Sequence, residues 1–195
     1  MRVFIAVPLP LDLKAKLIAV QQGFRHLPVE AAWVREAGFH ITLKFLGEVD
    51  PSRIEPIVAR MTETAQYYHP FPLTLCGVGV FPHESKPRVL WVGIQDKTGL
   101  LRQLQQAIEA RLTQLGYASE GRSFSPHVTL ARLRRVSRQG EFLAALKAHR
   151  EAVLGELDVD HMELVESQLH PSGARYSIVK AVSFQKLRVP LKADE

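Results

Sequence analysis

The feature that most constrains this chain is a four-residue pattern, His-x-Thr-Leu, that occurs twice. It is found at residues 40–43 and again at residues 127–130. In a β-strand alternate side chains share a face, so the His and Thr of each copy point one way while the two apolar residues point the other. Each copy is therefore predicted to be a strand with one polar face and one face directed to a core.

The two copies are related by an offset that extends beyond the motif. The histidines are 127 − 40 = 87 positions apart, and the same shift aligns the apolar run at 2–8 with the apolar run at 89–95. The helical patterns that follow these two runs, 11–25 and 98–112, align as well. Self-similarity at a fixed offset is typical of an internal repeat.

The repeat predicts the fold class, because both halves show the order strand, helix, His-x-Thr strand, helix, strand. We expect an α+β protein of two similar lobes with antiparallel sheets and outer helices, related by an approximate two-fold axis around a central cleft. The lobes would form one domain over 1–195, with the repeat at approximately 2–81 and 88–187. This symmetry would place the two His-x-Thr strands opposite each other across the cleft.

Periodicity and turn residues set the expected elements. Strands are predicted at residues 2–7, 39–46, 72–81, 89–94, 127–133, 155–169 and 175–187, and helices at 11–26, about 50–66, 98–115 and 139–150. Asp50 and Pro51 form a helix-start signature. Pro56 would remove a hydrogen bond from a helix that began at Asp50, so the helix should either begin later or bend at Pro56.

Composition narrows the class of protein. The 195 residues are 46% hydrophobic and 23% charged, which is typical of a globular protein with a core. The net charge of +5 modestly favours anionic partners. The single cysteine, Cys76, excludes an internal disulfide and a thiolate metal cluster and fits a reducing cytoplasm. No stretch approaches the roughly 20 apolar residues of a membrane helix, so we expect a soluble, cytoplasmic protein.

Two facing histidines can supply a general base and a general acid, because the unperturbed imidazole pKa is about 6.5. One would take a proton from an attacking hydroxyl or water, and the other would protonate the leaving oxygen across a phosphorus centre. Thr42 and Thr129 can each donate a hydrogen bond to a phosphoryl oxygen. A metal site is disfavoured, because no carboxylate adjoins either motif. His40, His127 and the two threonines are thus predicted to be catalytic, with no cofactor.

The remaining histidines, at 26, 69, 83, 149, 161 and 170, have no repeated context and are expected to be surface or structural residues.

Basic residues cluster around the second motif. Arg132 follows Thr129 by three positions, and a guanidinium group fits phosphate bidentately. Regular alternation would put Arg132 on the face opposite His127, so we expect the strand to bend or bulge near Ala131 or the side chain to reach round its end. The other arginines nearby, at 122, 134, 135 and 138, fit either an anion-binding patch or a solvated loop.

Two residues beside the first motif are further candidates. Lys44 and Phe45 could contact a phosphate or a base of a bound nucleotide. A core position for Phe45 is an equally good interpretation.

The motifs and their flanks match a known family. The matching stretches are RVFIA at 2–6, WV at 33–34, HITLKFLG at 40–47, FP at 81–82 with PRVLW at 87–91, PHVTLAR at 126–132, and SQL at 167–169 with GARY at 173–176. With these flanks the sequence resembles the 2H phosphoesterases and, within them, the bacterial and archaeal RNA 2′,3′-cyclic phosphodiesterases, also called 2′-5′ RNA ligases. The resemblance covers nearly the whole chain.

The resemblance implies a two-lobed α+β fold and metal-free hydrolysis of RNA 2′,3′-cyclic phosphate ends to 2′-phosphates. It implies that His40 is the proton donor, His127 the proton acceptor and Arg132 a phosphate-binding residue. It also implies that tRNA halves could be joined through a 2′-5′ bond without ATP. We expect a monomer that acts on RNA. The alternatives are an RNA- or nucleotide-binding module, or a phosphoesterase that acts on small cyclic nucleotides or 2′-5′ oligoadenylate.

Overall fold

The computed structural model describes residues 1–121, 123–168, 170 and 174–185, which form nine strands and four α-helices. The strands are β1 (Arg2–Pro8), β2 (Val29–Trp33), β3 (His40–Glu48), β4 (Phe71–Phe81), β5 (Val89–Gln95), β6 (His127–Val136), β7 (Val153–Val159), β8 (His161–Gln168) and β9 (Arg175–Ser183). The helices are α1 (Leu11–Arg25), α2 (Ile54–Ala65), α3 (Leu100–Thr113) and α4 (Gln139–His149). The predicted α+β class is confirmed.

The strands form two antiparallel sheets, each built from both halves of the sequence. The first sheet has the order β3-β1-β8-β9, so two strands from the start of the chain pair with two from its end. The second sheet has the order β2-β6-β5-β4-β7. Both sheets are therefore assembled from strands that are distant in sequence.

The helices pack outside the sheets and share one core with them. Helices α2 and α3 contact β9 and β3 of the first sheet, whereas α1 and α4 contact strands of the second. Apolar side chains from both sheets and all four helices form a single buried cluster, to which Ile5, Leu17, Ile57, Ile108 and Phe142 each contribute a fully buried side chain. Burial of this shared surface fixes the two sheets relative to each other.

The two motif strands meet where the sheets approach each other. β3 is one of the two edge strands of the first sheet, and β6 lies next to the edge strand β2 in the second sheet. β3 and β6 contact each other directly. The fold therefore brings the two copies of His-x-Thr together.

The predicted strand at 155–169 is wrong, because the chain changes sheets within it. β7 ends at Val159 and pairs with β4 in the second sheet, whereas β8 begins at His161 and pairs with β1 in the first. The apolar alternation changes phase at this point, because Leu157 and Val159 are the buried residues before the break whereas Met162 and Leu164 are the buried residues after it, and the strand prediction overlooked this shift. The last strand, predicted at 175–187, ends at Ser183, and residues 171–173 and 186–195 lie outside the described residues.

The second helix begins later than Asp50, as one of the two alternatives predicted. The Asp50 carboxylate accepts a hydrogen bond from the Ser52 N–H at 2.9 Å and caps a single 3₁₀ turn at Pro51–Arg53. The α-helix starts at Ile54, which places Pro56 in its first turn. A backbone N–H has no helical partner there, so proline is tolerated without a bend.

Candidate active site

The strand that carries the second motif contains a β-bulge directly after Thr129. β5 pairs Trp91 with Thr129 and Leu90 with Ala131, so Leu130 is an extra residue in β6. A bulge of one residue reverses the face on which every later side chain lies.

The bulge places Arg132 with the motif. Leu130 and Ala131 are consecutive buried residues, and Arg132 is exposed on the polar face of β6. The expected irregularity near Ala131 is therefore confirmed. Arg132 shares the face of His127 and Thr129 because the extra residue restores the alternation.

The first motif strand contains a bulge at the equivalent position. β1 pairs Ala6 with Thr42 and Ile5 with Lys44, so Leu43 is the extra residue in β3. Leu43 and Leu130 are 130 − 43 = 87 positions apart, the same offset as the two histidines. The repeat thus extends to the backbone irregularity of each strand.

The bulge at Leu43 determines that the Lys44 side chain is buried and the Phe45 side chain is exposed. The Lys44 side chain is 1% exposed, and its Nζ donates to Glu109 Oε1 and to the Ala118 carbonyl, both at 2.8 Å. Phe45 is 59% exposed and lies on the His40 face. The expectation that Lys44 contacts a substrate is wrong, because the bulge turns this side chain into the interior. The alternative core position for Phe45 is wrong for the same reason.

Gln21 of α1 holds the bulge in β6, and sequence reasoning missed it. Its Nε2 donates to the Leu130 carbonyl at 2.7 Å and to the Val34 carbonyl at 2.8 Å. The Val34 N–H also donates to the Leu130 carbonyl, at 2.9 Å. These bonds satisfy a carbonyl at the irregularity in the strand. The sequence signal that could have identified Gln21 is its position in α1. It lies four residues after Leu17 and three before Phe24, so it is a polar residue on the buried face of the helix.

His40 lies in an aromatic pocket on the first sheet. Its ring centroid is 4.6 Å from that of Phe4 and 5.6 Å from that of Tyr176, which meets His40 edge-on. Phe4 and Tyr176 also meet edge-to-face at 5.9 Å. Together with Ala6 and Val165, these two residues form a small apolar cluster apart from the main core. The pocket restricts the orientation of the imidazole.

His127 lies in a matching pocket on the second sheet. Its ring is 5.1 Å from Phe81, edge-on, and 6.4 Å from Trp91. Trp91 and Phe4 are again 91 − 4 = 87 positions apart. The indole packs against Gly79, where a Cβ atom would lie only 2.4 Å from the ring. Glycine is therefore required at residue 79 for Trp91 to stay beside His127.

The protonation site of His127 follows from its hydrogen bond. Nδ1 lies 2.8 Å from the Ser125 carbonyl oxygen, which can only accept, so Nδ1 must carry a proton. In the neutral ring Nε2 is left with a free lone pair. Burial lowers the pKa of His127, the Ser125 hydrogen bond opposes this, and the nearby Arg132 charge lowers the pKa further.

His40 is more strongly perturbed. Burial first, then the Lys14 charge, then His127 lower the pKa of His40 to about 4. The contribution of His127 means that the two imidazoles lie within electrostatic reach of each other, so their protonation is coupled. Near neutral pH in the absence of a ligand, both rings are therefore predominantly neutral.

A Lys14→Met substitution is expected to raise the pKa of His40, because it removes a positive charge that opposes protonation of the ring. The pKa should stay below the unperturbed value of about 6.5, since burial remains. The ring proton resonances of His40, followed by NMR against pH, measure this shift. Lys16→Met, an exposed lysine of the same helix, is the matched control and should leave the titration unchanged. A wild-type His40 that titrates near the unperturbed value would contradict the electrostatic description.

The other predicted candidates lie apart from this pair. Arg134 and Arg135 are exposed on β6, Arg138 pairs with Glu141 at 3.0 Å, and Arg122 lies outside the described residues. Three histidines make hydrogen bonds away from the motifs, namely His69 with the Gln185 carbonyl, His149 with the Ala145 carbonyl and His161 with Asp160. His26, His83 and His170 are exposed. The expected surface or structural position of these six histidines is thus confirmed.

Comparison with known proteins links this geometry to a family. The family model of the 2′-5′ RNA ligase superfamily matches residues 25–171. An RNA 2′,3′-cyclic phosphodiesterase of Aeropyrum pernix is 33% identical over 86% of this chain and 96% of its own length. One of Methanocaldococcus jannaschii is 28% identical over 92% of this chain and 99% of its own.

Solved structures show the same fold. The protein TT0787 of Thermus thermophilus has a TM-score of 0.80 and 28% identity, covering 94% of this chain and 98% of its own. The complex of E. coli LigT with 3′-AMP has a TM-score of 0.74 and 25% identity, covering 94% and 97%. With the doubled motif, its matched bulges and the paired histidines, these similarities show that the chain belongs to the 2′-5′ RNA ligase superfamily of 2H phosphoesterases.

Proposed function

We propose that this protein hydrolyses the 2′,3′-cyclic phosphate at an RNA end to a 2′-phosphate, with His40 and His127 as general acid and base. The observation that carries the proposal is the pair of coupled histidines on contacting strands with identical bulges. The relatives named RNA 2′,3′-cyclic phosphodiesterase support the substrate class. The LigT complex supports it too, because 3′-AMP is a nucleotide carrying a phosphate on its ribose.

His127 is suited to the role of base. With Nδ1 donating to the Ser125 carbonyl, Nε2 can accept the proton of a water molecule that attacks the phosphorus. The same hydrogen bond stabilises the imidazolium that forms, because a charged donor strengthens it. The lowered pKa of His127 keeps the ring neutral, and hence able to act as a base, at neutral pH.

His40 is proposed as the acid. As the bond between phosphorus and the 3′ oxygen breaks, His40 gives its proton to that oxygen, and the product carries a 2′-phosphate and a 3′-hydroxyl. The free protein holds the pKa of His40 at about 4, so this proton must be acquired together with the anionic substrate. A phosphate charge beside the ring favours the imidazolium and raises its pKa.

The neighbours of the two histidines would bind and stabilise the substrate. Thr42 and Thr129 lie two residues beyond them on the same strand faces and can donate hydroxyl hydrogen bonds to the phosphoryl oxygens. Arg132 would supply positive charge, and Phe45 an exposed ring for stacking a base. In the described part of the chain, no group of three or more His, Cys, Asp or Glu side chains is arranged to hold a metal ion.

The same site would also form a 2′-5′ bond. If the 5′-hydroxyl of a second RNA replaces water, His127 takes its proton and His40 again protonates the departing 3′ oxygen. No ATP is consumed, because the cyclic phosphate supplies the activated phosphorus. We propose that tRNA halves with such ends are one class of substrate. We also propose that the enzyme acts as a monomer in the cytoplasm. No helix in the described residues is both long and apolar enough to cross a membrane.

The test is digestion of a dinucleotide that ends in a 2′,3′-cyclic phosphate, with and without EDTA. We expect a 2′-phosphate, identified by phosphorus NMR, at a rate that the chelator does not change. A 3′-phosphate product would contradict the assigned direction of attack, and a rate abolished by EDTA and restored by a divalent ion would contradict the metal-free mechanism. Parallel assays with a 3′,5′-cyclic nucleotide and 2′-5′ oligoadenylate test the alternative substrates, and binding without turnover would identify a binding module.

A further inference from the structure

A cavity of about 440 Å³ opens beside His40, outside the two motifs. Arg35, Gly38, Arg175 and Tyr176 are among the residues that line it. Tyr176 separates the cavity from the reacting centre, because its ring also meets the His40 ring at 5.6 Å. The cavity therefore begins one aromatic ring away from the imidazole.

The wall between the cavity and His40 is closely packed. A Cβ atom at Gly38 would lie 3.0 Å from the Tyr176 ring and 2.8 Å from the Val34 side chain. Only glycine fits at this turn without displacing a neighbour, so the Tyr176 ring is held against both Gly38 and Phe4. The position of the cavity relative to His40 is thus fixed by contacts on both sides of the ring.

The two arginines of the cavity are exposed, and neither side chain has a partner within the described protein. Within the described ranges, the Arg35 and Arg175 guanidinium groups form neither a hydrogen bond nor an ion pair, whereas Arg60 and Arg150 are each paired with a glutamate. Two unpaired guanidinium groups at one cavity favour an anion, since each offers a planar set of donors that matches phosphate oxygens.

The proposed chemistry determines which anion lies there. If His40 protonates the 3′ oxygen, the ribose of the terminal nucleotide lies on the His40 side of the phosphorus. The next phosphate of an RNA chain is attached to the 5′ carbon of that ribose, one sugar away from the reacting centre. We propose, on the basis of the proposed function, that Arg35 and Arg175 bind this 5′ phosphodiester, so that the enzyme prefers an RNA chain to a single nucleoside 2′,3′-cyclic phosphate.

The test compares kcat/KM for a dinucleotide 2′,3′-cyclic phosphate with kcat/KM for a nucleoside 2′,3′-cyclic phosphate, which lacks the 5′ phosphodiester. The wild type should prefer the dinucleotide. Arg35→Met and Arg175→Met should each reduce this preference about tenfold, which corresponds to the low end of the free energy that a hydrogen bond to a charged group contributes. Arg60→Met changes the net charge equally at an exposed pair on α2 and should leave the preference unchanged. The preference should also weaken with added salt in the wild type.

The outcomes separate this inference from the proposed function. If a variant lowers kcat/KM equally for both substrates, the arginines act on the catalytic centre. If a variant changes kcat/KM for neither substrate, the cavity binds no phosphate. Equal wild-type rates on the two substrates would overturn the inference alone. Hydrolysis of neither substrate by the wild type would overturn the proposed function itself.

Discussion

His127→Ala and His40→Ala are each expected to reduce turnover of a cyclic-phosphate RNA end by about 10²–10⁴-fold, the usual contribution of a general acid or base. Without His127 the attacking water loses the lone pair that accepts its proton. Without His40 the 3′ oxygen would leave as an unprotonated alkoxide. The measurement is kcat/KM on the dinucleotide at several pH values.

The double variant should lose much less than the product of the two single losses, because an acid and a base that act in one step are not independent. His26→Ala is the matched control, since His26 is exposed and follows α1 outside the motifs. Its rate should equal that of the wild type. A near-normal rate for either motif variant would refute the paired acid–base assignment.

Lys44→Met is expected to lower the free energy of unfolding by about 3–5 kcal/mol, the usual cost of leaving one partner of a buried ion pair without the other. Lys44 is almost fully buried, and Glu109 on α3 would keep its charge in the interior. The loss should also loosen the segment before the second motif, because Lys44 binds the Ala118 carbonyl and Glu109 accepts from the Glu120 N–H at 3.3 Å. Urea unfolding measures the effect.

A second substitution tests whether the charge left behind is the cause. Lys44→Met combined with Glu109→Gln should recover much of the lost stability, because an amide side chain is far less costly to bury than an unpaired carboxylate. Arg60→Met is the control, since it breaks an exposed pair with Glu63 and should cost no more than about 1 kcal/mol. A loss of that small size for Lys44→Met would show that the buried pair contributes little to folding.

The sequence was sufficient to predict the α+β class, because the 87-residue offset showed two copies of one order of elements. The same offset identified both His-x-Thr strands, and the structure brings these strands into contact. The catalytic roles of His40, Thr42, His127 and Thr129 stay predictions, as do the domain description and the substrate contacts of Arg132 and Phe45.

The errors have a common physical cause, since alternation was extended through points where the backbone is irregular. The bulge at Leu43 turned Lys44 inward, and the change of sheet after Val159 divided an apparently continuous strand. The bulge leaves the apolar alternation of residues 41–45 unchanged, whereas the change of sheet shifts its phase between Val159 and Met162, a signal that the strand prediction overlooked. Gln21 was missed for a related reason, because its role depends on a carbonyl more than a hundred residues away.

The assembly of each sheet from both ends of the chain affects how the protein reaches its native state during synthesis. Ala6 of β1 pairs with Glu163 of β8, so β1 has no partner on that side until β8 has been made. Pairings between such distant residues slow folding, because a long loop must close before the contact forms. Cleavage in the connector at 82–88 would leave each fragment without strands that both sheets require. The pocket around His40, which includes Tyr176 of β9, therefore forms only after the ninth strand has left the ribosome.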